Sequence, residues 1–118
     1  MTPPFYKVCA ASPAVTALLG IPARIYPWGE ADDPPVYPYV TFLSDGQPGN
    51  YLQGSPDSEA HSLSVDVWAK TPASADAVVA AVRAAIAPHC YVQAVRQMGR
   101  DPETKSCRVR LEVDWTLV

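Results

Sequence analysis

The stretch His61–Pro88, HSLSVDVWAKTPASADAVVAAVRAAIAP, changes its hydrophobic period partway along, and that change decides the fold. Leu63, Val65, Val67 and Ala69 alternate with Ser62, Ser64, Asp66 and Lys70. Period two is the mark of a strand with one buried face. Beyond Lys70 the apolar residues Ala75, Val78, Val79, Val82 and Ile86 recur at helical spacing. Thr71 followed by Pro72 supplies a capping hydroxyl and a proline at the first helical position. Alanine, the strongest helix former, fills much of the remainder, and Pro88 stops the run. Asp76 nearer the start and Arg83 nearer the end both suit the helix dipole.

The final stretch repeats the strand pattern more cleanly. Cys107, Val109, Leu111, Val113, Trp115 and Leu117 form one side, and Ser106, Arg108, Arg110, Glu112, Asp114 and Thr116 the other. A strand over Ser106–Leu117 is about 40 Å long at ~3.3 Å per residue, long enough to project past its sheet or to bend. Cys90–Met98 alternates poorly and reads as a strand at an edge, and Gly99–Lys105 reads as a turn initiated by Asp-Pro. Upstream, Tyr39–Ser44 is rich in β-branched and aromatic residues, and Arg24-Ile25-Tyr26 is a short strand. Pro4–Ala11 and Ser12–Gly20 are helical, as two short helices or one kinked helix; both fit the pattern equally.

Two connections remain. Trp28–Pro38 is a loop with an acidic centre. Asp45–Ala60, DGQPGNYLQGSPDSEA, has three glycines, two prolines and almost no periodicity. Loops of that length in compact domains are often functional. The order is helix, strand, strand, strand, helix, strand, strand. This predicts an α+β fold: a single antiparallel sheet, mixed at most, with two helical regions packed on one face.

The chain has 118 residues, enough for one core, and is read as a single domain over 1–118. With 48% hydrophobic and 18% charged residues it is globular in composition. A net charge of −3 argues against a protein that grips nucleic acid through clustered cations. The N-terminal apolar run is broken by Pro3, Pro4 and Pro13, so no signal peptide is expected, and no stretch is long enough to span a membrane. Three widely spaced cysteines, Cys9, Cys90 and Cys107, fit reduced thiols in a cytosolic setting better than a disulfide framework.

Chemistry is hard to find in these residues. His61 and His89, the two histidines, lack partners at metal-ligand spacing. Cys9 and Cys107 read as small core hydrophobes, and Cys90 has no basic neighbour to lower its pKa. Gly46, Gly49 and Gly54 precede no helix and make no phosphate cradle. Asp32-Asp33, Asp57 with Glu59, and Glu112 with Asp114 are paired carboxylates. The last pair alternates with Arg108 and Arg110 as a solvated or subunit-facing ladder. Trp68 falls on the polar side of its strand, so it is covered either by a loop or by a partner subunit.

Four short motifs, in order and spacing, carry a resemblance. They are Ser12-Pro13-Ala14-Val15 with Leu18-Leu19-Gly20; Pro38-Tyr39-Val40; Val65-Asp66-Val67-Trp68-Ala69; and Arg100-Asp101-Pro102 before Arg108-Val109. With these the chain resembles, over nearly its whole length, the tail-completion proteins of tailed phages and prophages. Those are similar in fold to the tail terminator of lambda-like phages. The resemblance implies a structural protein of the virion tail, assembled in the bacterial host cytoplasm. It implies a homo-oligomeric ring, commonly of six, that caps the head-proximal end of the tail tube, ends tube polymerisation and offers a surface for head joining. The implied partners are other copies, the tail tube protein and the head–tail connector protein. DNA passes through without specific binding, and no membrane, cofactor, metal or catalytic residue is implied.

In that setting Trp68, Arg108, Arg110, Glu112, Asp114 and Tyr51 are the expected subunit or partner contacts. Asp45, Asp57 and Glu59 are the expected lumen-facing acids, where like charge keeps DNA from adhering. The two long loops are expected to contribute to ring contacts or to the faces that meet tube and connector. Without the resemblance, the same residues also fit a small α+β ligand-binding or regulatory module that dimerises through its sheet. A hydrolase is the third reading, and no constellation supports it.

Overall fold

The computed structural model describes residues 4–27, 36–44, 59–103 and 105–117, with the backbone alone at 59–61 and 116–117. Its elements are α1 (Phe5–Ala10), α2 (Pro13–Leu19), β1 (Ile25–Pro27), β2 (Tyr39–Ser44), β3 (Glu59–Ala69), α3 (Pro72–Ile86), β4 (Cys90–Arg100) and β5 (Cys107–Leu117). The N-terminal helical region resolves into two helices. Ser12 leaves helical geometry, its Oγ accepts the Val15 N–H at 3.4 Å, and Pro13 starts the second helix. α3 begins the same way, with Thr71 Oγ1 accepting the Ser74 N–H at 3.1 Å ahead of Pro72.

The strands form one mixed sheet in the order β1-β2-β3-β5-β4. β1 runs parallel to β2, and every other pair is antiparallel. β1 is three residues long, ends in Pro27 and lies at an edge, where a missing backbone donor is tolerated. β3 and β5 are in register along their whole length, from Ala69 opposite Cys107 to Glu59 opposite Leu117. The long last strand therefore does not project. β3 starts at Glu59, before the alternating run, because β5 offers it a partner there.

β4 is the other edge, as its weak alternation suggested. It runs on to Arg100, past the turn expected at Gly99, and two bulges break its pairing, between Val92 and Ala94 and between Gln97 and Gly99. Each bulge inserts one residue and reverses the side-chain phase. Val92, Val95 and Gln97 therefore oppose Val113, Leu111 and Val109 on one face, a set no strict period two connects.

The core lies between that face and the helices. Leu63, Val65, Val67 and Ala69 of β3 meet Val109, Leu111, Val113 and Trp115 of β5, flanked by Val40, Phe42 and Ile25. Phe5 and Cys9 of α1, Val15 and Leu19 of α2, and Ala75, Val78, Val82 and Ile86 of α3 close over them. Both apolar periods read from the sequence end in this one cluster, which makes burial the common cause of strand and helix. The opposite face of the sheet carries the polar half of every alternation, and no described helix contributes to it.

Candidate functional site

The uncovered face is built by cross-strand register. Tyr39 of β2 stands opposite Trp68, and Trp68 opposite Arg108 of β5. One step along, Thr41 faces Asp66, which faces Arg110, which faces Arg96 of β4. Ser64 and Ser62 then face Glu112 and Asp114. Residues on one face of neighbouring strands sit within side-chain reach, and Tyr39–Trp68, Trp68–Arg108, Asp66–Arg110 and Ser62–Asp114 interact directly.

Asp66 is the centre. Its carboxylate accepts Arg110 Nε at 3.0 Å and Nη2 at 3.3 Å, and Arg108 Nη2 at 3.0 Å. The Asp66 side chain is 10% exposed, while Arg108 and Arg110 are 30% and 29% exposed. An acid this buried requires such partners, and a bidentate arginine is the strongest available. Arg108 Nε is buried with no hydrogen-bond partner among the described residues.

Trp68 lies between two neighbours. The Tyr39 ring stacks on one side at 5.9 Å with planes 8° apart, and the Arg108 guanidinium sits 4.8 Å from the indole centroid. Its Nε1–H donates to Thr41 Oγ1 at 3.1 Å. The tryptophan is thus half-covered by adjacent strands of its own sheet. The aromatic set continues through Tyr37, 5.2 Å from Tyr39, and Tyr26, 6.2 Å from Tyr39, with Lys70 Nζ 4.5 Å above the Tyr37 ring. Burial, and then Tyr37, push the Tyr39 phenol up to about 12, so it stays protonated across physiological pH.

The ladder singled out in the sequence makes three sets of contacts on this face. Arg108 and Arg110 turn inward to Asp66. Glu112 pairs with Arg96 at 3.2 Å in an exposed bridge. Asp114 accepts Ser62 Oγ at 3.2 Å and is also bonded by Gln93. Asp66 escaped the sequence reading as a hub, and so did Tyr26, Tyr37 and Tyr39 as a cluster. The available signal was an acid between two valines in a half-buried strand, and the Tyr-Pro-Tyr run at its neighbour's start. Tyr51, Asp45 and Asp57 lie outside the described residues, as do positions 28–35 of the acidic loop. Glu59 opens β3, although the sequence assigned it to the loop.

Burial raises the Cys9 thiol to about 12, with Cys90 adding to the effect, and raises Cys90 to about 11. Both are protonated at neutral pH and behave as small apolar groups. Cys9, Cys90 and Cys107 are all free thiols. Among the described residues no cluster of three histidines, cysteines or carboxylates could hold a metal ion, and no helix is long and apolar enough to cross a membrane.

Fold and face together define a small α+β protein with a helical layer on one side of its sheet and a charged, aromatic surface on the other. The profile of the family described as "Tail completion protein gp17" matches residues 4–117. The chain belongs to that family, and with it to the structural proteins of phage tails. Among solved structures, a chain from the "Virion of native gene transfer agent (GTA) particle" superimposes with a TM-score of 0.69 over 95% of this chain and 90% of that one. Sequence identity is 17%, so this likeness is one of fold. No curated protein matches.

Proposed function

We propose that this chain forms a ring on the head-proximal end of a phage or prophage tail tube, ends tube polymerisation there and provides the surface for head joining. The family match over residues 4–117 carries the reading, and the fold shared with a chain of a gene transfer agent virion supports it. The work is mechanical and needs no enzyme: the charged groups of the open face are engaged with neighbours on the sheet, and two of the thiols are held protonated. The virion tail is its place, and copies of itself, the tube protein and the head connector are its partners. Tails assembled without this protein are expected to be overlong and unjoined by electron microscopy. Tubes of normal length and normal head joining in its absence would overturn the reading.

In this reading the open face carrying Trp68, Arg108, Arg110, Glu112 and Asp114 meets a partner. Arginine, tryptophan and tyrosine at the centre of a surface are the residue types that dominate contacts between proteins. Glu112→Lys tests it without unfolding the chain, since the exposed pair with Arg96 is worth no more than about 1 kcal/mol. The variant is expected to lower the yield of joined particles, and an unchanged yield would remove this face from the contact.

A further inference from the structure

The turn between α2 and β1 carries the most exposed large apolar side chain among the described residues: Ile21 is 88% exposed. It is firmly held. Gly20 turns the chain at φ 86°, and a Cβ there would lie 2.9 Å from the Arg24 guanidinium. Arg24 ties the turn together from beyond. Its backbone N–H donates to the Leu19 carbonyl at 3.0 Å, its Nη2 to the Leu18 carbonyl at 3.2 Å and its Nε to the Pro38 carbonyl at 2.9 Å. Ile21 is therefore an apolar knob on a backbone turn that hydrogen bonds already hold, so the turn itself need not be ordered on contact.

A cavity of about 300 Å³ opens at the other edge of the sheet. Pro72, Ala75 and Asp76 in the first turns of α3 form one wall, and Gln97, Cys107 and Val109 of β4 and β5 form the other. Its volume is that of roughly ten waters, ample for one branched aliphatic side chain. Register relates the two features. Ile25, Val40, Val67, Val109 and Gln97 form one row across all five strands. The knob precedes one end of this row and the cavity lies at the other, about 19 Å away at ~4.8 Å per strand. Both belong to the helical side of the sheet, since α2 leads into Ile21 and α3 walls the cavity. The knob cannot reach the cavity of its own chain.

We propose that Ile21 of one copy seats in the cavity between α3 and the β4–β5 strands of the next, joining identical chains head to tail through opposite edges of their sheets. Two different patches meet, so a joined pair keeps one knob and one cavity free for further neighbours, and the chain of contacts ends in a ring when the rotation per contact divides a full turn. This rests on the ring reading and names the surface that builds it.

Cys107 in the cavity wall makes the contact directly testable. Ile21→Cys would bring a second thiol against Cys107 of the neighbouring copy. A mild thiol oxidant should then link the purified protein, and tails carrying it, into a ladder of covalent oligomers. The parent chain should give none, and Cys107→Ser in the same variant should abolish the ladder. Ile21→Asp, at a position open to solvent, should keep its circular dichroism spectrum while the concentration needed for assembly rises on the order of tenfold or more. Rings seen by electron microscopy without cross-linking, and undiminished by Ile21→Asp, would overturn the knob and cavity and leave the ring reading standing. Absence of rings both in solution and on tails of normal length would overturn the ring reading itself.

Discussion

Asp66→Ala is expected to lower the unfolding free energy by about 3 kcal/mol, the low end of the range for breaking a buried ion pair. The carboxylate is shielded on the sheet by the two arginines it binds, with Thr41 and Arg110 opposite it in register on either side. Its removal takes away the carboxylate that two neighbouring guanidinium groups share. Each is about 30% exposed. They can turn partly into water, which places the cost at the low end. For a domain of this size the shift in Tm should be on the order of 10 °C. Asp66→Asn separates the terms, since it keeps the shape and one accepting oxygen while removing the charge. It should lose less than alanine if hydrogen bonding contributes, and as much if charge alone does. Urea unfolding monitored by tryptophan fluorescence measures both. A midpoint for Asp66→Ala equal to the parent's would show that the arginines relax without cost and that the network does not stabilise the sheet.

Phe5→Ala is expected to cost about 3–5 kcal/mol, as for other fully buried aromatic residues. Phe5 has no exposed surface, and its ring lies 5.0 Å from that of Phe42 at an angle of 49°. The argument reaches beyond the cavity left behind. α1 has six residues and no side-chain cap at its start. A helix that short does not persist by itself in water, because nucleation costs more than so few hydrogen bonds return. Phe5 and Cys9 are its buried residues and hold it to the core. Without Phe5, α1 should detach before the sheet unfolds, and amide exchange should show it: protection lost first between Val8 and Ala11, with β3 and β5 affected later. Phe5→Leu should cost less than about 1.5 kcal/mol, since it keeps most of the volume. Retained protection of α1 in Phe5→Ala would mean that Cys9 and the packing of α2 suffice to hold the helix.

The elements legible in the sequence were those whose two sides meet different surroundings. β5 alternated cleanly because it is central, with helices on one face and the charged network on the other. α3 was legible for the same reason at helical period, helped by Thr71 and Pro72 at its start. β4 was poorly legible because it is an edge strand, largely exposed, and its two bulges reverse the phase within 11 residues. The start of β3 at Glu59 was missed because pairing with β5, not any local pattern, extends the strand there. Of the face residues, the sequence found Trp68 and the β5 ladder from their position on the polar side. It did not find what they touch.

The sequence by itself determined which segments are strand or helix, which side of each is apolar, and the family to which the order of its motifs points. Hydrophobic period is a local property, readable within a dozen residues. Only the tertiary structure decided that β5 lies between β3 and β4, that Asp66 takes two arginines 42 and 44 positions away, and that Trp68 is sandwiched by Tyr39 and Arg108. It alone also set the Ile21 knob and the α3 cavity at opposite edges of one row. Strand order and register follow from how the whole set of apolar faces packs together, and no window of the chain contains that sum.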